Sequence, residues 1–178
     1  MGFVQSLRDR FFGRERASER DGEDLYREMR SRLLTIPASE VNLSPTAEFP
    51  VVWAGLMDWH VGSGVATLVA VADGTVSLYL SSGGGVIGAG AHADVMAVAR
   101  RFLGALASHQ KTLGREDNPP LPGPNGVRFV ARAFDETLAS AEIATDELGE
   151  GRHPLSPVFD VAQELIAVIR EASARPRT

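Results

Sequence analysis

The sequence predicts an α+β fold with a mainly antiparallel sheet of about five strands, in the order helix, three strands, helix, two strands, helix. Apolar side chains recur at helical spacing in three segments, at residues 18–36, 92–109 and 156–172. Two apolar segments, 65–72 and 75–81, are joined by Asp73-Gly74, which is a strong hairpin signal. Strands joined by hairpins form antiparallel sheets, and helices then cover at least one face.

The composition fits one domain with tails. The chain has 178 residues, of which 44% are hydrophobic and 23% charged, and its net charge is −5. A chain of this length buries enough surface to fold without a metal or a disulfide. We expect a single α+β domain at 18–172, an amphipathic N-terminal segment or tail at 1–17, and a tail at 173–178. The lack of cysteine excludes thiol catalysis and thiolate-bound metals, and the acidic balance argues against a general nucleic-acid binder.

The N-terminal segment, residues 1–17, combines an apolar stripe with arginines. The stripe has helical spacing and consists of Phe3, Val4, Leu7 and Phe11. The segment either packs on its own domain or frays as a tail, or it docks on a partner or a membrane surface. Residues 1–36 hold 8 arginines against 7 acidic residues, so the negative charge of the chain lies in residues 37–178.

The first helix is predicted from the residues at its two ends, and the first strand from the alternation of its side chains. Ser18 and Asp21 resemble a capping box, and Pro37 ends the helix. A loop at 37–50 leads to a strand at 51–60. Alternation places Val51, Trp53, Met57 and Trp59 on one face of this strand, and Val52, Ala54, Leu56, Asp58 and His60 on the other.

The next two strands are predicted to form a hairpin with a two-residue loop. Such a loop places Ala72 opposite Thr75 and Val71 opposite Val76. One face then holds the larger apolar side chains, Val65, Val69, Val71, Val76, Leu78 and Leu80. The other face holds Ala66, Leu68, Ala70, Ser77, Tyr79 and Ser81. We expect a helix, a second subunit or a ligand to cover this second face.

The remainder of the chain alternates loops with regular elements. A glycine-rich segment at 81–90 precedes the helix at 92–109, and a proline-rich loop follows at 114–126. A second hairpin is predicted at 127–134 and 137–143. The last helix begins at Ser156-Pro157, which are a favourable cap and first helical position.

The glycine-rich segment is the most specific local feature. Gly83-x-Gly85-x-x-Gly88 follows a strand and precedes a helix, as a dinucleotide-binding motif does. In that motif, however, the helix begins within the glycines, whereas here the chain remains extended. Two alternatives stay open: an anion-binding loop, or glycines that serve the fold. The candidate ligand-binding residues are Ser81, Ser82, Gly83, Gly84 and Gly85.

Two segments carry a family resemblance. The segments SLYLSSGGGVIGAG at 77–90 and GRHPLSP at 151–157 resemble a family of small uncharacterised bacterial proteins. The resemblance covers roughly residues 50–170. It implies no activity, cofactor or partner, so no functional residue is transferred from it.

Histidines next to carboxylates or hydroxyls are the remaining candidates for chemistry. The pairs Asp58 with His60 and His92 with Asp94 could supply metal ligands. His153 lies close in sequence to Ser156, as a base and nucleophile would. The alternative is structural, with Asp94 and Ser156 as helix caps. We therefore assign no catalytic residue, no metal ligand and no cofactor.

The sequence leaves three functional hypotheses. The first is a non-enzymatic cytoplasmic binding or scaffold domain that acts as a homodimer, without nucleic-acid binding and without a transmembrane segment. Its interface candidates are Leu68, Ala70, Tyr79, Phe3, Leu7 and Phe11. The second is a small-molecule or anion-binding protein that uses residues 81–90. The third is a small hydrolase or metal-dependent enzyme.

Overall fold

The computed structural model describes residues 19–175 as four α-helices and an eight-stranded sheet. The helices are α1 (Glu19–Thr35), α2 (Ala93–Ser108), α3 (Thr145–Gly149) and α4 (Ser156–Ala174). The strands are β1 (Val52–Val61), β2 (Gly64–Val71), β3 (Val76–Leu80), β4 (Gly85–Ile87), β5 (Gly114–Arg115), β6 (Gly126–Ala133), β7 (Thr137–Ala139) and β8 (Ile143–Ala144). Short 3-10 turns lie at Ala38–Val41, Ala89–Ala91 and Gln110–Thr112.

The strands form one antiparallel sheet in the order β4-β3-β2-β1-β6-β7-β5, and β8 pairs with the start of β6. The predicted α+β class and antiparallel sheet are confirmed, but the expected number of about five strands is wrong. The prediction lacked β4, β5 and β8, which are only two or three residues long. Strands this short show no alternation that a sequence pattern could reveal.

The sheet lies between two helical layers. The helix α1 covers one face, where Leu33 and Leu34 pack against the sheet residues Leu56, Val69 and Val130. The helices α2 and α4 cover the other face and pack against a second set that includes Met57, Leu68, Ala70, Val76 and Phe129. Both faces of the central strands are therefore core. In the described part of the chain, no helix has the length and apolar character that crossing a membrane requires.

The register of the first hairpin differs from the predicted one by a residue. Ala70, not Val71, lies opposite Val76, because the connection has three residues. Gly74 adopts a positive φ of 88°, its amide donates to the carbonyl of Val71, and the amide of Thr75 donates to Asp73 Oδ1. A three-residue loop with glycine in this conformation is a standard alternative to the two-residue loop.

This shift of one residue redistributes the predicted faces. Val69 and Val71 lie on the α1 side, whereas Val76 lies on the α2 and α4 side together with Leu68 and Ala70. The prediction of one apolar face and one small face is therefore wrong, because a one-residue slip exchanges the faces of a strand. The chain's own helices cover both.

The alternation predicted for β1 also fails at its start. The pairing of β1 with β6 shifts register between Val52 and Ala54. This irregularity places Trp53 in the cluster beneath α1, together with Ala54 and Leu56, and not with Met57. A bulge adds one residue to a strand locally, so side chains before and after it no longer alternate in phase.

Candidate functional site

A groove of about 1050 Å³ lies at the β4 edge of the sheet. Its walls come from three distant parts of the chain: the beginning of α1, the β3–β4 turn, and the C-terminal end of α4. The main lining residues are Leu25, Tyr26, Met29, Tyr79, Gly84, Gly85, Ile87, His92, Ala172, Ser173 and Arg175. The size is that of a pocket for a drug-sized or larger organic molecule.

The glycine-rich segment forms the tight turn between β3 and β4. Gly83, Gly84 and Gly85 have φ values of 94°, 82° and 137°, which only glycine adopts readily. A Cβ on Gly85 would lie 2.1 Å from the carbonyl oxygen of Leu78, so this position is also closed to side chains. The turn leads into an antiparallel strand, and α2 begins only at Ala93. These glycines therefore do not form the strand-to-helix turn that a dinucleotide site needs.

The first turn of α1 lies against this glycine turn. A Cβ on Gly22 would come within 3.0 Å of the Cα of Gly83. The two glycines thus allow two backbones to approach closely. This contact closes the groove between α1 and the sheet edge.

The lining of the groove combines apolar and polar surface and contains no carboxylate among the residues that the structure describes. His92 and Arg175 are the lining side chains that can carry positive charge. Arg175 is partly neutralised, since its Nη2 lies 2.6 Å from Asp94 Oδ2. The guanidinium of Arg175 and the amide of Val95 hold the pKa of Asp94 below its usual value. The other polar groups in the groove are two phenols, an imidazole, the hydroxyl of Ser173 and backbone groups.

Both tyrosines of the groove remain protonated at neutral pH. Burial and the nearby Asp58 carboxylate raise the pKa of Tyr26 to about 12. Burial also raises the pKa of Tyr79. The hydroxyl of Tyr26 is hydrogen-bonded to Thr67 Oγ1 at 2.7 Å. Tyr26 therefore offers the groove its ring more than its hydroxyl.

Of the five predicted ligand-binding residues, Gly84 and Gly85 line the groove. Ser81 has a different role, because its Oγ accepts a hydrogen bond from the amide of Val65 at 2.8 Å. Its own amide donates to the carbonyl of Val65, so Ser81 extends the pairing of β2 with β3. Ser82 is exposed. Ligand binding by these residues stays a prediction.

The predicted interface residues fall into three groups. Leu68 and Ala70 are fully buried beneath α2 and α4, so the chain itself covers them. Tyr79 is half-buried in the groove. Phe3, Leu7 and Phe11 lie outside the described residues. Of the three predicted interface residues that the structure describes, Tyr79 is the one that a binding partner could contact.

Asp58, a candidate metal ligand, belongs to a buried polar network between α1 and the sheet. It is fully buried. Arg30 donates to its Oδ2 from Nη2 at 2.7 Å and from Nε at 3.1 Å, and Thr67 donates to its Oδ1 at 2.6 Å. Arg30 also donates to the carbonyl of Pro119 in the proline-rich loop. The contacts of Arg30 hold α1 and the loop onto the sheet.

Asp94, His153 and Ser156, which were also candidates for chemistry, have structural partners. Asp94 Oδ1 accepts from the amide of Val95. His153 Nδ1 accepts from the amide of Leu155 at 3.1 Å, and Ser156 Oγ accepts from the amide of His153. A nucleophile and its base would instead be bonded to each other. Within residues 19–175, no three histidine or carboxylate side chains are grouped as a metal site would require.

The sequence analysis missed most of the groove. Leu25 and Met29 lie in the helix predicted at 18–36, Ala172 at the end of the helix predicted at 156–172, and Arg175 in the predicted tail at 173–178. Their convergence depends on the tertiary packing of elements that are more than 50 residues apart. The one local signal was the run of glycines, which marks a close backbone approach.

Comparison with known proteins assigns no function to the groove. No protein-family model, no curated protein and no solved structure matches the chain.

Proposed function

We propose that this protein is a non-enzymatic binding domain whose groove takes a small molecule with an apolar body and one anionic group. The observation that carries this proposal is the composition of the groove lining. The chain has 23 acidic residues, yet none of them is among the described residues that line the groove. An apolar cavity with a few convergent polar groups is the usual form of a ligand site.

Each part of the ligand has a counterpart in the groove. Leu25, Met29 and Ile87 offer apolar surface to its body. The imidazole of His92 and the backbone of Gly84 and Gly85 can donate to an anionic group. Of the three hypotheses drawn from the sequence, this geometry favours the small-molecule or anion binder. Catalysis is not part of the proposal, because Asp58, Asp94 and His153 serve hydrogen bonds within the fold.

The probe 8-anilinonaphthalene-1-sulfonate, which has an aromatic body and a sulfonate, tests this proposal. We expect saturable binding to the folded full chain, followed by fluorescence. Leu25→Glu places a carboxylate in the groove and should weaken binding about tenfold, the effect of roughly 1.4 kcal/mol. The matched control is Leu121→Glu, since Leu121 is an exposed leucine that does not line the groove. Equal affinity of Leu25→Glu and Leu121→Glu, or no saturable binding at all, would overturn the proposal.

The homodimer predicted from the sequence is a separate proposal. Leu68 and Ala70 no longer support it, because α2 and α4 cover them. Analytical ultracentrifugation at tens of micromolar tests it, and a monomer at that concentration would refute it. The predicted cytoplasmic location likewise stays a prediction.

A further inference from the structure

We infer that the groove binds the carboxyl-terminal end of an extended peptide, which adds to the sheet as a strand beside β4. The inference rests on the proposed function, since it names the chemical class of the ligand in the same groove. An apolar peptide would be the body of that ligand, and its terminal carboxylate would be the anionic group. The backbone of β4, the two walls of the groove and the position of its positive charges support this.

The backbone of β4 directs hydrogen-bonding groups away from the sheet. β4 is the last strand in the sheet order, and in the described part of the chain it pairs with β3 alone. The amide of Leu80 donates to the carbonyl of Gly84, so these two residues form a hydrogen-bonded pair. Bonded and non-bonded pairs alternate in an antiparallel ladder, so Val86 is bonded to β3, whereas the N–H and C=O groups of Gly85 and Ile87 face outward. None of these outward groups is bonded to another backbone group of the described chain.

The outward groups are accessible and correctly spaced for a further strand. Gly85 is exposed and Ile87 is half-buried, and both line the groove. They are two residues apart, which is the interval at which a strand offers its hydrogen-bonding groups to one side. When a peptide adds to a sheet edge, such main-chain bonds provide affinity, and contacts with alternate side chains provide selectivity. A polypeptide would therefore satisfy this edge better than an organic molecule without amide groups.

The walls of the groove fit both faces of an added strand. The side chains of a strand point alternately to the two faces of its sheet. The helix α1 covers one face and α4 the other, and both helices line the groove beside β4. Leu25 and Met29 would contact the peptide side chains on one face, and Ala172 would contact those on the other. A peptide with apolar side chains on both faces is therefore favoured.

The positive charges of the groove indicate which end of a peptide it takes. His92 lines the groove five residues after Ile87, and Arg175 lies next to it through its bond to Asp94. That bond uses one of the five N–H donors of the guanidinium and holds the group at the groove. Because Asp94 offsets part of the positive charge, a singly charged carboxylate suits the site better than a phosphate. The carboxylate would lie beyond Ile87, so the peptide would run parallel to β4.

Isothermal titration calorimetry of the full chain with acetyl-Ser-Val-Thr-Val-Leu, which has a free terminal carboxylate, tests the inference. We expect saturable binding. The same peptide with a terminal amide should bind about tenfold more weakly, the effect of roughly 1.4 kcal/mol. Arg175→Met should weaken binding of the carboxylate peptide about as much and leave binding of the amide peptide unchanged. Arg101→Met is the matched control, because Arg101 is an exposed arginine outside the groove.

Two changes to the backbone test the addition of a strand itself. Only alternate amides of the peptide would face β4, so single N-methylation should weaken binding about tenfold at every second amide and have little effect at the others. In the protein, Ile87→Pro removes an outward N–H of β4, and an edge strand tolerates proline at such a position. Ile87→Val keeps the N–H and is the matched control. Far-UV circular dichroism and thermal melting establish that each variant is folded.

The outcomes separate this inference from the proposed function. If 8-anilinonaphthalene-1-sulfonate binds in the groove but the peptide does not bind, the inference is overturned and the proposed function stands. If neither binds, both are overturned. Equal affinity of the carboxylate and amide peptides, or equal effects of N-methylation at every amide, also overturns the inference. A dimer that Ile87→Pro dissociates would assign this edge to a second copy of the chain and would overturn it as well.

Discussion

Breaking the ion pair between Arg30 and Asp58 should cost far more stability than breaking an exposed ion pair of the same length within residues 19–175. Its two side chains are 10% and 0% exposed, and the Nη2–Oδ2 distance is 2.7 Å. Replacing Arg30 with methionine keeps the apolar stem but leaves a buried carboxylate with Thr67 as its remaining side-chain partner. Breaking a buried pair in this way costs about 3–5 kcal/mol.

The chain offers a matched control for this substitution. Arg101 and Glu164 are also 2.7 Å apart, but their side chains are 57% and 44% exposed. Because water screens such a pair, Arg101→Met should cost about 0.2–1 kcal/mol. The free energies of unfolding of the two variants can be compared in urea at pH 7. Domains are typically stable by about 5–15 kcal/mol, so the difference between the two variants is large on this scale.

A second variant separates the buried charge from the lost packing. In Arg30→Met, Asp58→Asn the carboxylate becomes an amide that can still accept from Thr67. If the unpaired charge is the main cost, this double variant should recover most of the stability that Arg30→Met loses. A loss below about 1 kcal/mol for Arg30→Met, equal to that of Arg101→Met, would refute the reasoning that burial decides the strength of the pair.

Four further predictions concern titration, close packing, helix propensity and helix capping. The pKa of Tyr26 is raised to about 12 in the folded chain, from about 10 in the unfolded chain. The free energy of unfolding should therefore fall as the pH rises from about 10 to about 12. Tyr26→Phe should reduce that fall, as measured by urea titrations. Gly90→Ala should destabilise the fold by several kcal/mol, because the new Cβ would lie 1.8 Å from the carbonyl oxygen of Gly74. Gly104 lies in the interior of α2 with open space around it. Gly104→Ala should therefore raise the melting temperature, because alanine favours the helix by about 0.5–1 kcal/mol over glycine. Arg132→Lys should lower the melting temperature, because one ammonium group cannot replace a planar guanidinium that donates to several backbone carbonyls.

The elements with long periodic patterns could be predicted closely from the sequence. The helix expected at 18–36 extends over Glu19–Thr35, and the one expected at 92–109 extends over Ala93–Ser108. Both have a one-sided apolar pattern with clear end signals, so local residues determine them. The second hairpin was also predicted, and Arg132 and Thr137 form its closing pair.

The register of the first hairpin could not be derived in the same way. Asp73-Gly74 suits both a two-residue and a three-residue loop, and the two differ by one residue in pairing. Apolar side chains usually select the register, because one face must be buried. Here β2 is buried on both sides, with Val69 and Val71 on one face and Leu68 and Ala70 on the other, so the apolar pattern could not select the register.

The same limits apply to the groove. Gly84 and Gly85 could be found because an unusual backbone needs an unusual residue. Leu25, Met29 and Ala172 are ordinary helix residues, and their role depends on which helix face meets which sheet edge. That relation is fixed by contacts between distant residues, such as the one between Arg30 and Asp58, which no local pattern encodes.

The groove and the buried network are coupled through α1. Asp58 holds the middle of this helix through Arg30, and Arg132 holds its end by donating to the carbonyls of Leu33, Leu34 and Ile36. An α-helix turns by about 100° per residue, so contacts at two positions fix the rotation of α1 about its own axis. In this orientation Tyr26 lines the groove, and its hydroxyl is hydrogen-bonded to Thr67. The first turn of α1 then lies against the β3–β4 turn, where Gly22 and Gly83 allow the two backbones to approach closely.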